Sequence, residues 1–302
     1  MSAGATLIRN ALTIDVEDWV QSVYDVSAAL TDRFVRNTRA VLELLAAHEV
    51  RATFFVLGLA AEKAPELVRE IAAAGHEVQS HGYAHRLVHT QTAAAFREDV
   101  VRSKRVLEDI AGVAVTGYRA PAFSITSATL WALDVLAEAG FRYDSSVFPV
   151  RMRRYGIAGA PRSLHRLMTP RGRELIEVPV CSRRIGPLRL PTGGGGYLRM
   201  WPYAVTRAAI QRMNDAGEAA VLYIHPYEFA PNELRELGVE IPWKTRLHQG
   251  LGRRGVPAKV SRLLGEFRFG TIGDVLSARA VTAIHSYRVG DAHGMTYPVA
   301  TS

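Results

Sequence analysis

The sequence predicts an α/β fold whose parallel strands curl into a barrel, and three observations carry that reading. Short β-rich runs alternate with helical patterns along the chain. Glycine stands just past the last turn of each helical run, where a left-handed residue closes a helix. Polar clusters recur directly after the strand-like runs, at the end where barrel active sites are built, which favours a barrel over an open sheet.

Residues 11–16, 51–57 and 76–80 read as the first three strands, and residues 115–118, 141–143 and 219–224 continue the series. Between them, residues 65–74 form a helical run ending at Gly75. A second helix carries Phe96, Val100, Leu107 and Ile110 on one face and ends at Gly112; a third carries Leu130, Leu133 and Leu136 and ends at Gly140. Strand, helix, strand in this order requires crossover connections and a parallel sheet. From about 148 to 190 the alternation fails: arginine, glycine and proline dominate, and only 174–180 resembles a strand. The four glycines between Thr192 and Tyr197 permit tight turns and close approach to a ligand. They lack the following Lys-Ser/Thr of a phosphate-binding loop, which excludes nucleotide hydrolysis. One more helix is expected near 258–267.

With 302 residues, 48% hydrophobic and 22% charged, the chain is neither disordered nor fibrous and suits one decorated barrel. The expected organisation is a barrel over 1–230, with an arginine-rich insertion near 149–190, and a C-terminal extension over 231–302 packed on it. The single cysteine, Cys181, excludes an internal disulfide and a multi-cysteine zinc site, and reads as a small hydrophobe beside Val180. Formal net charge is +8, with arginine concentrated between residues 151 and 189 and basic residues again between 244 and 262. Such a field favours a phosphate-bearing or acidic substrate or an acidic membrane surface, unless it is merely solvated. No nucleic-acid motif or aromatic-interleaved basic stripe is present, so nucleic acid is not an expected partner. The first residues lack a signal-peptide pattern and no apolar run approaches a membrane span, so the expected location is cytoplasmic, peripheral to the inner membrane.

His81 and His85 lie four residues apart, a spacing that puts two imidazoles on one face of a helix or its first turn and suits zinc or a similar divalent ion. The spacing alone is weak, because His85 and His89 repeat it. The acidic cluster after the first strand strengthens it, since a hydrolytic site with two histidines adds a carboxylate ligand. Asp15 and Glu17 point to one side of an extended segment and Asp18 to the other. One carboxylate can bind the ion while its neighbour takes a proton from water. Each cluster also has a plain structural explanation, such as an acidic turn ahead of Trp19 or a core histidine at position 225. Their occurrence together and in order points to chemistry.

The segments ALTIDVEDWVQ, RATFFVLG, AAAGHEVQSHGYAHRLVH, GYRAPAFSI, GFRYDSSVFP, GGGGYLRMWPY, VLYIHPYEF and RLLGEFRFGTIGDVL occur in this order. In them the chain resembles the NodB-homology polysaccharide deacetylases, and more narrowly their exosortase-associated subgroup from exopolysaccharide gene clusters. The resemblance covers residues 12 to about 275. It implies a distorted, incomplete (β/α) barrel with fewer strands than a full eightfold one. The implied reaction is metal-dependent hydrolysis of N-acetyl groups on amino sugars of an exopolysaccharide or its lipid-linked precursor.

The resemblance also implies roles. Asp15 is the base; Glu17, His81 and His85 hold a divalent ion, most simply Zn2+, with Asp18 a rival ligand. Arg119 holds the base, His225 is the catalytic histidine, and Asp144 is the acid that orients it. Tyr197, Arg199 and Glu228 look like substrate-side residues of the subgroup, while Phe148 stands near a usual tryptophan and Tyr223 replaces a pocket leucine. Two departures concern the motifs themselves: Glu17 stands where the commonest form has an aspartate adjacent to the first, and Gly82 replaces a usual Ser or Thr. The departures at Glu17 and Tyr223 leave open a related hydrolase of another linear or cyclic amide, or a non-catalytic carbohydrate-binding relative. An N-acetylated saccharide is the expected partner, with peripheral contact to membrane or polysaccharide assembly machinery.

Overall fold

The computed structural model describes residues 8–150, 152, 155–185, 188–278 and 287–288. In β1 (Asn10–Val16) every side chain is buried, as befits a strand covered on both faces. The chain continues through α1 (Arg33–Ala47), β2 (Thr53–Val56), α2 (Gly58–Lys63), α3 (Pro65–Ala73), β3 (Glu77–Ser80), α4 (Ala93–Ala111), β4 (Gly117–Tyr118), α5 (Trp131–Glu138) and β5 (Tyr143–Asp144). Strands β1 to β5 pair in parallel, in sequence order. Gly75, Gly112 and Gly140 follow α3, α4 and α5 with positive φ, as their placement requires.

Beyond β5, β6 (His165–Met168) and β7 (Glu174–Glu177) pair antiparallel, and β7 joins β5 in parallel. A separate antiparallel pair is made by β8 (Ser182–Ile185) and β9 (Leu188–Pro191). After α6 (Gly196–Met200) and α7 (Tyr203–Asp215), β10 (Val221–Ile224) returns to the free side of β1. The extension holds α8 (Trp243–Gly250), α9 (Val256–Glu266), β11 (Phe269–Gly270), α10 (Ile272–Ala278) and the two-residue β12 (Tyr287–Arg288).

The ten-stranded sheet runs β10-β1-β2-β3-β4-β5-β7-β6-β12, with β11 branching on β1, and its ends do not meet among the described residues. This is the expected distorted, incomplete barrel. Its outer layer is built by periodic helix faces: Phe34, Val41 and Leu45 of α1, and Phe96, Val100 and Leu107 of α4, pack with Ile14, Phe54 and Val78 of the strands.

The stretch after β5 holds more order than its composition suggests. In β6, His165 and Leu167 are buried while Arg166 and Met168 are partly exposed, so an arginine on the outer face hides a period-2 pattern. Arg162 pairs with Glu218, Arg166 with Glu174, and Arg171 and Arg173 with Glu138. Those four cations are therefore spent on carboxylates of this chain. Arg151, Arg153 and Arg154 of the same expected insertion lie outside the described residues, as do 279–286 and 289–302 of the expected extension.

Candidate active site

Glu17 directly follows β1 and is almost wholly buried. Its Oε1 lies 2.9 Å from His81 Nε2 and 3.0 Å from His85 Nε2. His81 follows β3, and the chain turns back through Gly82 (φ 79°) and His85 (φ 58°), bringing the second imidazole to the same oxygen. The two histidines thus sit in a loop, not on a helix; left-handed backbone achieves the convergence that helical spacing was expected to give. Asp99 Oδ1 accepts from Tyr83 N at 2.8 Å and ties this loop to α4.

The donor set fits a divalent cation. His81 Nδ1 stands 2.8 Å from the Arg119 carbonyl oxygen, which can only accept, so Nδ1 is the donor there. With Nδ1 so engaged, Nε2 is the ring atom turned to the Glu17 carboxylate, and it is placed to serve as a ligand atom beside it. Glu17, His81 and His85 offer three ligand atoms within 4.8 Å of one another, and Asp15, Glu17 and His225 form a second such group. Asp18 belongs to neither. Its Oδ1 accepts from Val20 N at 3.0 Å, and its Oδ2 accepts from Thr31 N at 2.9 Å and from the Thr31 hydroxyl. Both of its carboxylate oxygens are thus engaged by backbone and hydroxyl donors.

Asp15 Oδ1 accepts from Arg119 Nη1 at 2.7 Å. Arg119, fully buried just after β4, also donates from Nη1 to Thr13 Oγ1 at 2.7 Å and from Nη2 to Ser145 Oγ at 2.8 Å. Its guanidinium carbon lies 4.3 Å from the Phe55 ring centroid. Three of its N–H groups thus have fixed acceptors, and the arginine holds Asp15 in one place.

His225 follows β10 and opens the 3-10 turn Pro226–Phe229. Its Nε2 stands 4.0 Å from Glu17 Oε2. Glu228 Oε2 accepts from the His225 backbone N at 3.1 Å and lies 3.4 Å from Nδ1. Arg199 Nε stands 3.1 Å from Glu228 Oε1. The Tyr227 ring stacks on the imidazole with centroids 4.7 Å apart. Burial pulls the His225 pKa down, but the charges of Glu17, Glu228 and Asp15 and a hydrogen bond to Glu228 outweigh it and raise it to about 9. Burial likewise opposes ionisation of Glu228, yet His225 and Arg199 bring it below the usual carboxylate range.

Asp144, expected to orient His225, lies elsewhere, and Glu228, expected on the substrate side, takes that place. Asp144 accepts from Ser146 Oγ at 2.6 Å and Ser146 N at 3.1 Å. Its register partner on β7 is Glu177. Burial pushes Asp144 up to about 6, and burial together with Asp144 pushes Glu177 well above its range. Four strands separate β5 from β10 in the sheet, whereas Glu228 stands one 3-10 turn from His225. Glu177 was readable as an inward position of a short alternating strand, but nothing in the sequence linked it to Asp144.

The remaining expected residues are divided. Phe148 and Tyr223 both pack edge-on against Phe123, with ring centroids 5.0 Å apart in each pair. Tyr223 also meets the imidazole of His225 at 5.4 Å, so it walls the site. Phe123, part of the GYRAPAFSI segment, was given no role in the site by the sequence reading; it and Ala122 both have positive φ, 53° and 49°, a strained conformation beside the site. The Tyr197 hydroxyl lies 3.0 Å from that of Tyr155. Arg199 is not free for a saccharide, because its Nη1 donates to the carbonyls of His248, Gln249 and Leu251 at 3.3, 2.6 and 3.1 Å. The glycine run approaches the backbone of β10: Tyr223 N donates to Gly193 O at 2.7 Å and Gly195 N to Tyr223 O at 3.0 Å.

Residues 17–143 match the polysaccharide deacetylase family, and residues 145–277 match a domain of unknown function, DUF3473. A peptidoglycan deacetylase of Helicobacter pylori is 34% identical over 107 residues, 35% of this chain and 36% of that protein. A peptidoglycan-N-acetylglucosamine deacetylase of Bacillus cereus is 35% identical over 98 residues, 32% of this chain and 36% of that protein. A chitooligosaccharide deacetylase of Sinorhizobium fredii is 45% identical over 71 residues, 24% of this chain and 30% of that protein. The chain therefore matches about a third of the length of these relatives. The fold is shared with a Mycobacterium smegmatis protein assigned to the polysaccharide deacetylases (TM-score 0.63, 22% identity, 94% of both chains). It is shared too with Puue allantoinase (TM-score 0.61, 16% identity, 91% of both chains). Residues 17–143 thus carry a polysaccharide deacetylase domain of NodB homology, followed over 145–277 by the DUF3473 domain.

Proposed function

We propose that this chain hydrolyses N-acetyl groups on amino sugars of an exopolysaccharide or its lipid-linked precursor, with Glu17, His81 and His85 holding a divalent cation, Zn2+ by their donor types. One observation carries the reading: Asp15, Glu17 and His225 bring their ligand atoms within 4.8 Å of one another, so a base, the cation site and an acid face one space. A cation there would polarise the amide carbonyl and acidify water. Asp15, fixed by Arg119, receives the proton of the attacking water. His225, its proton retained by Glu228, gives that proton to the nitrogen as the C–N bond breaks, releasing acetate and a free amine. The names of the relatives, which act on peptidoglycan and chitooligosaccharides, support an N-acetylated saccharide.

Acetate release from N-acetylated oligosaccharides by metal-loaded protein, lost in Asp15→Asn, is the expected result. Equal release by the variant would remove Asp15 as the base. Formate or a ring-opened product in place of acetate would move the reaction to another amide. Saccharide binding with no product would support the non-catalytic reading.

A further inference from the structure

Among the described residues, the three most exposed large hydrophobic side chains are Trp243 (69%), Leu247 (62%) and Leu251 (57%). They are spaced four residues apart along α8 and its C-cap, and so form one stripe on one face. No residue of α8 is buried. Tyr24, itself 46% exposed, donates its hydroxyl to the Glu240 carbonyl at 3.1 Å, three residues before Trp243. Scattered exposed hydrophobics need no explanation, but a contiguous stripe of this kind marks an interaction surface.

Charge identifies the partner. The segment 243–254 contains Lys244, Arg246, Arg253 and Arg254 and no acidic residue. Arg253 is buried and paired with Glu233. Lys244, Arg246 and Arg254 are exposed and make no ion pair among the described residues, unlike Arg162, Arg166, Arg171 and Arg173. Tryptophan and leucine on one face with lysine and arginine beside them is the pattern of a helix lying in a membrane interface.

The stripe is tied to the catalytic cleft. Arg199 grips the carbonyls at the end of α8, from His248 to Leu251, and faces Glu228, which holds His225. Trp19 Nε1, two residues after Glu17, donates to Gln249 Oε1 at 3.5 Å. No helix among the described residues is long and apolar enough to cross a membrane, so attachment through α8 would be to one surface only.

We propose that α8 docks the chain on an anionic lipid bilayer, and that the saccharide it presents to the cleft is carried on membrane lipid; the second clause rests on the deacetylase reading above. The test is sedimentation of the full chain with phosphatidylglycerol vesicles and with phosphatidylcholine vesicles, beside acetate release from a short soluble N-acetylated oligosaccharide. Binding to the anionic vesicles, weakened by salt, is expected. Trp243→Ser with Leu247→Ser is expected to weaken it on the order of tenfold or more, and Lys244→Glu with Arg246→Glu about tenfold or more. Both pairs leave acetate release from the short substrate unchanged, which shows that they fold. Absence of vesicle binding by the native chain, or equal binding by both variants, overturns the proposal. So does a rise in KM for a long soluble polymer without any vesicle effect, which would make the stripe a saccharide surface, or a dimer that both variants abolish. Vesicle binding with no deacetylation of any substrate keeps the docking surface and overturns the lipid-carried substrate alone.

Discussion

Glu228 holds His225 at two points: its Oε2 accepts from the backbone N at 3.1 Å and stands 3.4 Å from Nδ1. One carboxylate thus closes the turn after β10 and fixes the ring that faces Glu17. Glu228→Ala is expected to lower kcat by roughly 10²-fold with KM little changed, because the interaction serves the proton donor and not the bound sugar. Glu228→Gln keeps the backbone bond but removes the charge, and is expected to fall between the two. Steady-state kinetics on an N-acetylated oligosaccharide decides; a rise in KM with kcat intact would return Glu228 to the substrate side.

The contrast between Glu228 and Asp144 shows what the sequence can and cannot say. Strand ends, helix ends and the alignment of Asp15 with Glu17 follow from local periodicity, so β1 and its carboxylates were legible. Which acid meets His225 depends on how the sheet curls and on a three-residue turn, and no periodicity encodes either. Arg199 illustrates the same limit, since its partners lie about fifty residues ahead in the extension. The histidine pair was legible as a pair but not as a loop, because four-residue spacing has two geometric solutions and only one is helical.

Arg119 and Asp15 form a buried ion pair at 2.7 Å. Arg119→Ala leaves Asp15 buried without its cation and is expected to cost about 3–5 kcal/mol of stability, measured by urea unfolding. Asp15→Asn is expected to cost less, because Arg119 keeps Thr13 and Ser145 as acceptors, yet to lower turnover on the order of 10²- to 10⁴-fold. Equal stability losses would show that the pair does not carry the difference.

His81 and His85 converge on one oxygen of Glu17, so removing both rings takes away two of three ligand atoms. Elemental analysis is expected to find about one divalent ion per native chain and essentially none in the His81→Ala, His85→Ala double variant. Asp18→Asn is expected to retain the ion, since Asp18 caps Val20 and Thr31. Loss of the ion in Asp18→Asn would restore Asp18 as a ligand.

His76 gives a pH dependence away from the site. Burial, with a smaller contribution from Arg51, lowers its pKa to about 4 in the folded chain, and its Nδ1 accepts from Ala52 N at 3.2 Å. Between about 6.5 and about 4 the unfolded chain binds more protons than the folded one. Stability from this group is therefore fully present above the unfolded value and falls as pH drops through that window. In His76→Asn, whose Oδ1 can accept the same backbone proton, the melting temperature is expected to fall less steeply over that window. Parallel slopes in variant and native protein would exclude His76 as a source of acid sensitivity.

Gly194 has φ 145°, and a Cβ there would stand 1.7 Å from the carbonyl oxygen of Tyr223. The contact is with backbone of β10, which cannot yield without moving Tyr223 and His225 after it. Gly194→Ala is expected to cost at least ~2 kcal/mol and to lower activity in the fraction that still folds. Gly265, near the end of α9, has an ordinary φ and nothing within 4 Å of its would-be Cβ, so Gly265→Ala is expected to stabilise by about 0.5–1 kcal/mol with activity unchanged. Urea unfolding of both variants separates close backbone approach from generic glycine entropy: if Gly194→Ala were also neutral or stabilising, the run after Thr192 would be a tolerant loop and Tyr223 would not depend on it.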